Sequence, residues 1–544
     1  MKKILNFIKD NYGVMLYAVV VVFFPFLFAF TASNEDAILR ICINLVYAIL
    51  LGFVLMACQG TTRKCVAIMF CIIAFAPNII VMSYLLMDNV IMKSADFWVV
   101  FNTNPEEATN LFSTLQISVF IWSIVYVVLM VIGLVLLFKR PRGSIKIPIW
   151  THLLLLFSFV VISFMNPFRS KVSMVDFYKS FYKYQKEQRE VAEFYANRQN
   201  LTLEVERIYP TNQKNTLLIM IGESQNRYHM QLYGYARPTN PQLLEIKDEL
   251  IMYNDVCSPA TQTLQCMKQI LTFTNYEQPD MYKREANIVE LLRSGGYKTF
   301  WFDNQDETRN GAFAIDTYTP TSYRTMARQS DVYSDSGVQD TILITKLQQA
   351  LLDTAQNKAI FLHLIGSHFE YAQRYEPSFE YFKDTIGIVS PYLDELTQGD
   401  IDVINAYDNS NRYTDYIVRS CIELLRADGG RSTMLYFSDH GEEVFDYQYY
   451  YRRSFDRISP AMCEPAFFIW MNDEYKKSND LVFDPERPFC TDDVIYGMMD
   501  LAGLRYYMYN PKRSVFSPLF EPKERKVGNL LYQSIIDKYA RSNE

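Results

Sequence analysis

The chain has no long tract of lysine and arginine. Its formal charge of −7 is spread over 544 residues, so the electrostatic footprint of a nucleic-acid binder is missing and nucleic acid is excluded as a partner. It has no C-x-x-C pair, which removes the usual thiolate zinc module. Four of its nine cysteines, Cys42, Cys58, Cys65 and Cys71, lie in or beside apolar runs and read as small hydrophobes. The other five, Cys257, Cys266, Cys421, Cys463 and Cys490, are odd in number and leave at least one free thiol. The first apolar stretch follows Lys2, Lys3 and Lys9 but lacks the small-residue cleavage pattern of a secretory leader. Its core is long and rich in Phe, so it is expected to be retained as a span.

What is present in quantity is apolar length. Tyr12 to Thr31, Ala37 to Cys58, Cys65 to Met87, Leu111 to Phe138 and Ile147 to Met165 each suit a transmembrane helix, five in all. Arg63 and Lys64 in the second loop, and K-R-P-R-G-S-I-K from Lys139 to Lys146 in the fourth, place those loops and the N-terminus on the cytoplasmic side. The loops Ser33 to Asp36 and Asp88 to Asn110 are then outside, and an odd number of spans puts everything after Asn166 outside as well. Aromatic residues, at 15%, suit membrane interfaces and a sugar- or lipid-facing surface. Three parts follow: a transmembrane domain over 1–166, a bridging helix and linker over 167–213, and an external domain over 214–544. In the bridge, V-S-M-V-D-F-Y-K-S-F-Y-K-Y-Q mixes aromatic and charged residues at helical spacing, the pattern of a helix lying along a lipid surface.

From Asn215 onward strands alternate with helices, which implies a doubly wound α/β/α domain with its ligands at the strand ends. Leu217 to Ile221 is a continuous apolar run that stops at Gly222 and delivers Glu223 to its tip. Thr433 to Phe437 ends in S-D-H-G-E and brings Asp439 and His440 to the same edge. Glu, Asp and His suit a divalent metal, and a hydroxyl beside that metal loses its proton near neutral pH. Thr263 or Thr261 supplies the hydroxyl. A helix beginning near Leu264 would turn its backbone N–H groups toward a phosphate, and a plain capping role for Thr263 predicts the same placement. The strand T-F-W-F-D-N-Q ends in Asn304 and Gln305, either of which could bind a phosphate oxygen or a headgroup. The strand A-I-F-L-H-L-I-G-S-H holds His363 within its apolar run, as a core histidine, and ends at His368. Pro465 to Met471 is one more core strand.

The joint pattern of strand-G-E, a Thr about forty residues on, and strand-S-D-H-G resembles the alkaline phosphatase and sulfatase superfamily. Within it, the chain resembles the membrane-bound phosphoethanolamine transferases over most of its length. S-Q-N-R-Y-H-M-Q-L-Y-G-Y-A-R-P-T-N-P, after Glu223, is similar to that family's G-E-[ST]-x-R-x-x-x-x-L-x-G-Y-x-R-x-T-x-P. There Tyr235, Arg237 and Pro241 read as a structured turn. The resemblance implies one zinc ion held by Glu223, Thr263, Asp439 and His440, with Thr263 in the attacking position. His368 matches the family's second metal or phosphate histidine, although Phe369 and Glu370 replace the usual G-P. The external F-N-T-N-P-E-E-A-T-N reads locally as a helix start capped by Asn104 with Pro105 at its first position. It also resembles the family's element near the lipid donor, with Thr103 and Glu107 at the matching positions. The relatives often carry a disulfide across the nucleophile loop, which here implies Cys257 with Cys266 at a shorter spacing. They usually have a further histidine after S-D-H-G-E, but Glu443 to Pro460 has none. Arg452 or Arg453 stands there instead and could pair with a phosphate through two parallel bonds, which leaves a second, histidine-rich zinc position less secure than the first.

The activity this resemblance implies is zinc-dependent transfer of phosphoethanolamine from phosphatidylethanolamine, through a covalent phosphothreonine. The acceptor is an envelope glycolipid, lipid A or the lipopolysaccharide core, on the outer face of a bacterial inner membrane. The alternatives are a phosphoglycerol transferase of the lipoteichoic acid synthase type, a sulfatase- or phosphodiesterase-like hydrolase, and a membrane receptor with a degenerate domain.

Overall fold

The computed structural model describes residues 2–30, 37–58, 60–89, 91–92, 94, 97, 100–101, 115–139, 148–196, 203–209, 213–305, 323–326, 339–454 and 457–540. It divides into two compact units, Met1–Glu187 and Gln188–Glu544. Thr103 and Glu107 lie outside the described residues, as does most of the basic stretch Lys139 to Lys146.

The first unit contains α1 (Lys2–Phe23), α2 (Ala37–Ala57), α3 (Gly60–Asp88), α4 (Ile117–Lys139) and α5 (Ile149–Ser163). Among the described residues three stretches, Ala37–Ala57, Gly60–Met87 and Ile117–Phe138, are long and apolar enough to cross a membrane. The other two expected spans are apolar helices of shorter length, Tyr12–Phe28 and Leu153–Ser163. In the first, Pro25 has no N–H to continue the α pattern, and the chain passes into a 3₁₀ turn over Phe24–Phe28. The second, α5, has 15 residues, or about 22 Å of helix against a hydrocarbon core of about 30 Å. Polar groups inside the bundle find partners across helices. The Tyr17 hydroxyl of α1 donates to the Ala67 carbonyl of α3, and Asn78 of α3 donates to the Tyr126 hydroxyl of α4 at 3.0 Å. The expected amphipathic segment forms α6 (Ser173–Ala196). Asp176, Ser180 and Tyr184, four residues apart, are buried on one face, while Tyr178, Phe181 and Tyr182 are exposed.

The second unit is built on a seven-stranded sheet. Its strands are β1 (Asn215–Gly222), β2 (Leu250–Met252), β3 (Lys298–Asp303), β4 (Tyr323–Met326), β5 (Asn357–His363), β6 (Arg431–Ser438) and β7 (Phe467–Met471), in the spatial order β2-β7-β6-β1-β5-β3-β4. β1 lies at the centre, parallel to β5 and β6. Both faces of the sheet are covered, which is why its strands read as continuous apolar runs rather than alternating ones. Leu217, Ile219 and Ile221 pack with α7 (Thr263–Ile270), α8 (Ile288–Ser294) and, further along the chain, Val494–Ala502. Leu218 and Met220 pack with α9 (Thr341–Leu351) and α10 (Gln398–Asp428). The sheet is mixed: β7 runs antiparallel to both β6 and β2. Among the described residues, the link from β6 to β7 holds two two-residue strands and the short helix Pro460–Cys463, with no helix long enough to serve as the crossover a parallel partner would need.

Candidate active site

Strand register assembles the site. Gly222 pairs with Ser438, so Glu223 and Asp439 leave the sheet side by side, and the Asp439 N–H donates to the Gly222 carbonyl at 3.1 Å. The loop after β5 closes on the same point: Leu364 N–H donates to Ile221 at 3.0 Å and Ser367 N–H to Glu223 at 3.0 Å. Gly366 is needed there, because its φ is +50° and a Cβ would lie 2.9 Å from both the N and the O of Glu223. Gly441 is needed for a similar reason, since a Cβ would sit 2.0 Å from the Ala461 carbonyl oxygen. Ser224 has φ 60°, a left-handed conformation held in place from α10. The Tyr407 hydroxyl donates to the Ser224 carbonyl at 2.7 Å and accepts from Asn226 N–H at 3.0 Å.

Glu223, Asp439 and His440 are all buried, and each brings a ligand atom within 4.8 Å of the others. Thr263 joins them at the start of α7. Its Oγ1 lies 3.0 and 3.2 Å from the two Glu223 oxygens and 3.2 Å from His440 Nε2. Thr261 instead donates to the Ser454 carbonyl at 3.1 Å, so Thr263 is the threonine that faces the cluster. His440 Nδ1 donates to the Gly441 carbonyl at 2.7 Å, which turns the lone pair of Nε2 inward. Asp439 Oδ1 accepts from His440 N–H at 2.8 Å and Ser224 N–H at 3.3 Å. Its Oδ2 accepts no hydrogen bond, although it is buried 3.2 Å from His440 Nε2. An orphaned carboxylate oxygen beside an imidazole lone pair and a second carboxylate is a donor set that fits a divalent cation.

Burial opposes charge on Glu223, but His440, Arg453, His368 and a hydrogen bond from Gln305 outweigh it and hold that carboxyl well below the usual range. Burial pushes Asp439 well up, and the Glu223 charge adds to the effect. Burial lowers His440 to about 4 and His368 to about 3, with Arg453 also opposing a proton on each. Both imidazoles are therefore neutral at neutral pH, as ligands and proton acceptors must be.

Around the four central residues lie groups of mixed function. Gln305 Nε2 donates to Glu223 Oε2 at 3.0 Å and to the Leu364 carbonyl at 2.9 Å. Asn304 is turned away into the fold, where Nδ2 donates to Asp340 at 2.8 Å, and Asp340 also accepts from the N–H groups of Ile365 and Gly366. Asn304 thus braces the loop that carries His368, and it does not face the cluster. Of the two candidate arginines, Arg453 reaches the centre: Nη1 is 2.9 Å from His440 Nε2, 3.2 Å from Glu223 Oε1 and 3.3 Å from Thr263 Oγ1, and Nη2 is 3.4 Å from His368 Nε2. Arg452 lies over the Phe369 ring at 3.8 Å. It ends the two-residue strand Tyr451–Arg452 and has φ 93°, so the chain turns between it and Arg453. His363 stays in the core, 3.2 Å from Asp303, which outweighs the effect of burial and pushes the imidazole up to about 9.

Three participants have no role in the sequence reading. Glu442 accepts from the Tyr371 hydroxyl at 2.9 Å and lies 3.6 Å from Arg453 Nε, and Tyr407 is described above. Glu442 is the glutamate of S-D-H-G-E, so its signal was in view. Tyr371 and Tyr407 carried none. Behind them His229 is held between Asp408 at 2.6 Å and Asp446 at 3.2 Å. Arg237 and Tyr235, from the structured turn, also bind Asp408, at 2.8 and 3.1 Å. The disulfide implied for Cys257 and Cys266 is absent, since all nine cysteines are free thiols. Cys266 on α7 donates to the Ala260 carbonyl at 3.2 Å, and Cys257 pairs in strand register with Cys490 instead.

The Sulfatase family model matches residues 214–504. Phosphoethanolamine transferase EptC of Escherichia coli strain K12 is 32% identical over 325 residues, covering 58% of this chain and 56% of that protein. The chain thus spans about half the length of the curated relatives it matches. The crystal structure of the C-terminal periplasmic domain of E. coli EptC in complex with Zn is 32% identical with a TM-score of 0.57, over 60% of this chain and 93% of that one. The integral membrane lipooligosaccharide phosphoethanolamine transferase A of Neisseria meningitidis is 18% identical with a TM-score of 0.69, over 94% of this chain and 99% of that one, and shares the fold. A match over residues 214–504, more than half of the chain and inclusive of Glu223, Thr263, Asp439 and His440, places it in the sulfatase family, with a membrane region ahead of the catalytic fold.

Proposed function

We propose that the chain moves phosphoethanolamine from phosphatidylethanolamine to lipid A or another envelope glycan, through a phosphothreonine at Thr263. The observation that carries this reading is the Thr263 hydroxyl, set against both oxygens of Glu223 and against His440 Nε2 beside the orphaned oxygen of Asp439. The name of the E. coli relative supports phosphoethanolamine as the group transferred, and the zinc complex of its domain supports zinc as the metal.

Glu223, Asp439, His440 and Thr263 would hold one zinc ion, which when bound supplies Lewis-acid chemistry, easing loss of the threonine proton and offsetting phosphate charge. Glu223 accepts the threonine hydroxyl's hydrogen bond and orients the oxygen for attack on the donor phosphorus. As the Oγ1–P bond forms, Thr263 Oγ1 gives up its proton, the bond from phosphorus to the diacylglycerol oxygen breaks, and the proton passes to that oxygen. The acceptor oxygen then attacks the same phosphorus, the Oγ1–P bond breaks, and the acceptor's proton passes to Oγ1, which restores free Thr263. His368, neutral and beside Arg453, relays that proton in each step, accepting it from the attacking hydroxyl and releasing it to the oxygen that leaves. Arg453 presents N–H groups to the phosphate, and Gln305 keeps Glu223 in place.

The membrane reading is part of the same proposal. The two shorter apolar helices complete a set of five spans over 1–166, residues 167–213 link them to the catalytic domain over 214–544, and the N-terminus is cytoplasmic with the catalytic domain periplasmic at a bacterial inner membrane. Thr103 and Glu107 are assigned to the donor lipid by family resemblance.

Mass spectrometry of glycolipids from cells carrying the chain or its Thr263→Ala variant tests the reaction. The expected result is a phosphoethanolamine mass shift that the variant lacks. A glycerol-phosphate shift, no shift, or a shift that survives Thr263→Ala overturns the reading.

A further inference from the structure

The atoms that would bind a cation are also the atoms that Arg453 touches. Nη1 of this arginine is 2.9 Å from His440 Nε2, 3.2 Å from Glu223 Oε1 and 3.3 Å from Thr263 Oγ1. A neutral imidazole nitrogen has one lone pair, so His440 Nε2 can accept an N–H from Arg453 or ligate a metal, not both. A divalent ion and a guanidinium packed on the same two side chains also repel strongly in a buried setting.

The other side of the guanidinium offers it a place to go. Nε is 3.6 Å from Glu442 Oε2, and Nη2 is 3.4 Å from His368 Nε2. Glu442 is fully buried, its Oε1 accepts from Tyr371 at 2.9 Å, and its Oε2 accepts no hydrogen bond. A buried carboxylate oxygen without a donor is costly, and a shift of Arg453 of about an ångström toward it closes the gap to hydrogen-bond length.

Resting on the proposed function, we infer that Arg453 and the metal compete for His440 and Glu223, and that metal loading moves the guanidinium onto Glu442 and His368, where its remaining N–H groups meet the substrate phosphate. Metal loading and phosphate binding are then coupled through one side chain. The coupling has a sign that ordinary support of the ligands would not give. If Arg453 merely positioned Glu223 and His440, its removal would weaken metal binding. As a competitor, its removal strengthens it.

The test is the zinc dissociation constant of the full chain in detergent, measured by competition with a fluorescent chelator, for the unsubstituted chain, Arg453→Gln and Arg453→Met, with circular dichroism to confirm folding. Zinc is expected to bind roughly tenfold or more tightly in both variants, the effect of deleting one adjacent positive charge. Inorganic phosphate is expected to tighten zinc binding in the unsubstituted chain, because it draws Arg453 away, and to do so much less in the variants. Equal or weaker zinc binding in the folded variants overturns the inference, and so does a phosphate effect that is absent from the unsubstituted chain. The two readings fail separately. An unsubstituted chain that binds no zinc sinks the proposed function as well, whereas zinc binding that Arg453 does not influence sinks only the competition.

Discussion

Tyr407→Phe removes a single oxygen from the ring that holds Ser224 in its left-handed conformation. The ring contacts with His229 and Tyr371, at 5.1 Å each, are available to Phe as well, so the change isolates the hydroxyl. Without it, the Ser224 carbonyl and the Asn226 N–H lose partners at 2.7 and 3.0 Å. A buried backbone group left unsatisfied costs about 1–3 kcal/mol, so after some relaxation the net loss of stability should be about 2–4 kcal/mol. The functional consequence runs through Ser224. Its Oγ donates to Glu223 Oε1 at 2.8 Å and its N–H to Asp439 Oδ1 at 3.3 Å. A left-handed serine costs about 1–3 kcal/mol to maintain, and when its clamp goes the residue relaxes and both carboxylates shift. A misplacement of about 1 Å at a reacting centre costs on the order of 100-fold in rate. We therefore expect kcat to fall about 30- to 100-fold while KM changes less than about threefold, since neither Tyr407 nor Ser224 is assigned a contact with substrate. The assay is transfer from a fluorescent phosphatidylethanolamine in detergent, with zinc content and thermal unfolding measured on the same preparations. Full kcat in a variant that has lost the expected stability would show that Ser224 does not aim the carboxylates.

Three other outcomes are expected. A tight zinc chelator should abolish phosphorylation of Thr263, detected by mass spectrometry of the trapped enzyme, and added zinc should restore it; labelling that survives chelation removes the metal from the first step. Gly366→Ala places a methyl 2.9 Å from the Glu223 backbone at φ +50°, so thermal stability should drop by about 1–3 kcal/mol together with activity, and an unchanged melting temperature refutes the close approach. Burial opposes a proton on His229, but Asp446 and Asp408 outweigh it and raise the imidazole to about 10. Because the folded value lies above the unfolded one of about 6.5, the contribution is complete below pH 6.5 and is lost as pH rises through 10. About 3–5 kcal/mol is at stake, and His229→Gln should flatten the fall in melting temperature over that range.

The sheet was readable because β1, β5, β6 and β7 are buried on both faces and so appear as unbroken apolar runs. The direction of β7 was not readable. An apolar run looks the same in either sense, and the chain from Asp439 to Ala466 is long enough for a crossover; among its described residues it simply forms no helix longer than Pro460–Cys463 to make one. The ends of the first unit's helices posed a related problem. Hydropathy continues through Phe24–Phe28, but the α-helix stops at Phe23 because Pro25 cannot extend it.

The site divides along a similar line. Glu223, Asp439 and His440 follow directly on apolar strands that lie side by side in the sheet, which gathers these three at one edge, and Thr263 opens a helix beside them. Residues that act through backbone turns left no such mark, and nothing in the sequence separates Arg452 from Arg453, which only the fold around the positive φ of Arg452 sets apart. The harder case is α10. Its C-terminal half follows the rule for a surface helix, with Ile417, Val418, Cys421, Ile422 and Leu425 in the core. Its N-terminal half, I-N-A-Y-D-N-S-N, reads as solvated, yet Asn405, Tyr407, Asp408, Asn409, Ser410 and Asn411 are all buried. The reason lies in what covers them. Loops that leave a sheet edge carry backbone groups with no strand to pair with, and these groups need polar partners. Tyr407 serves the backbone groups of Ser224 and Asn226, while Asn411 accepts from the Gln225 side chain and Ser410 bonds the Ser367 hydroxyl on the same loops. A polar helix face buried against strand-end loops is therefore a marker of the site, and it reads as solvent-facing only while the loops remain unplaced.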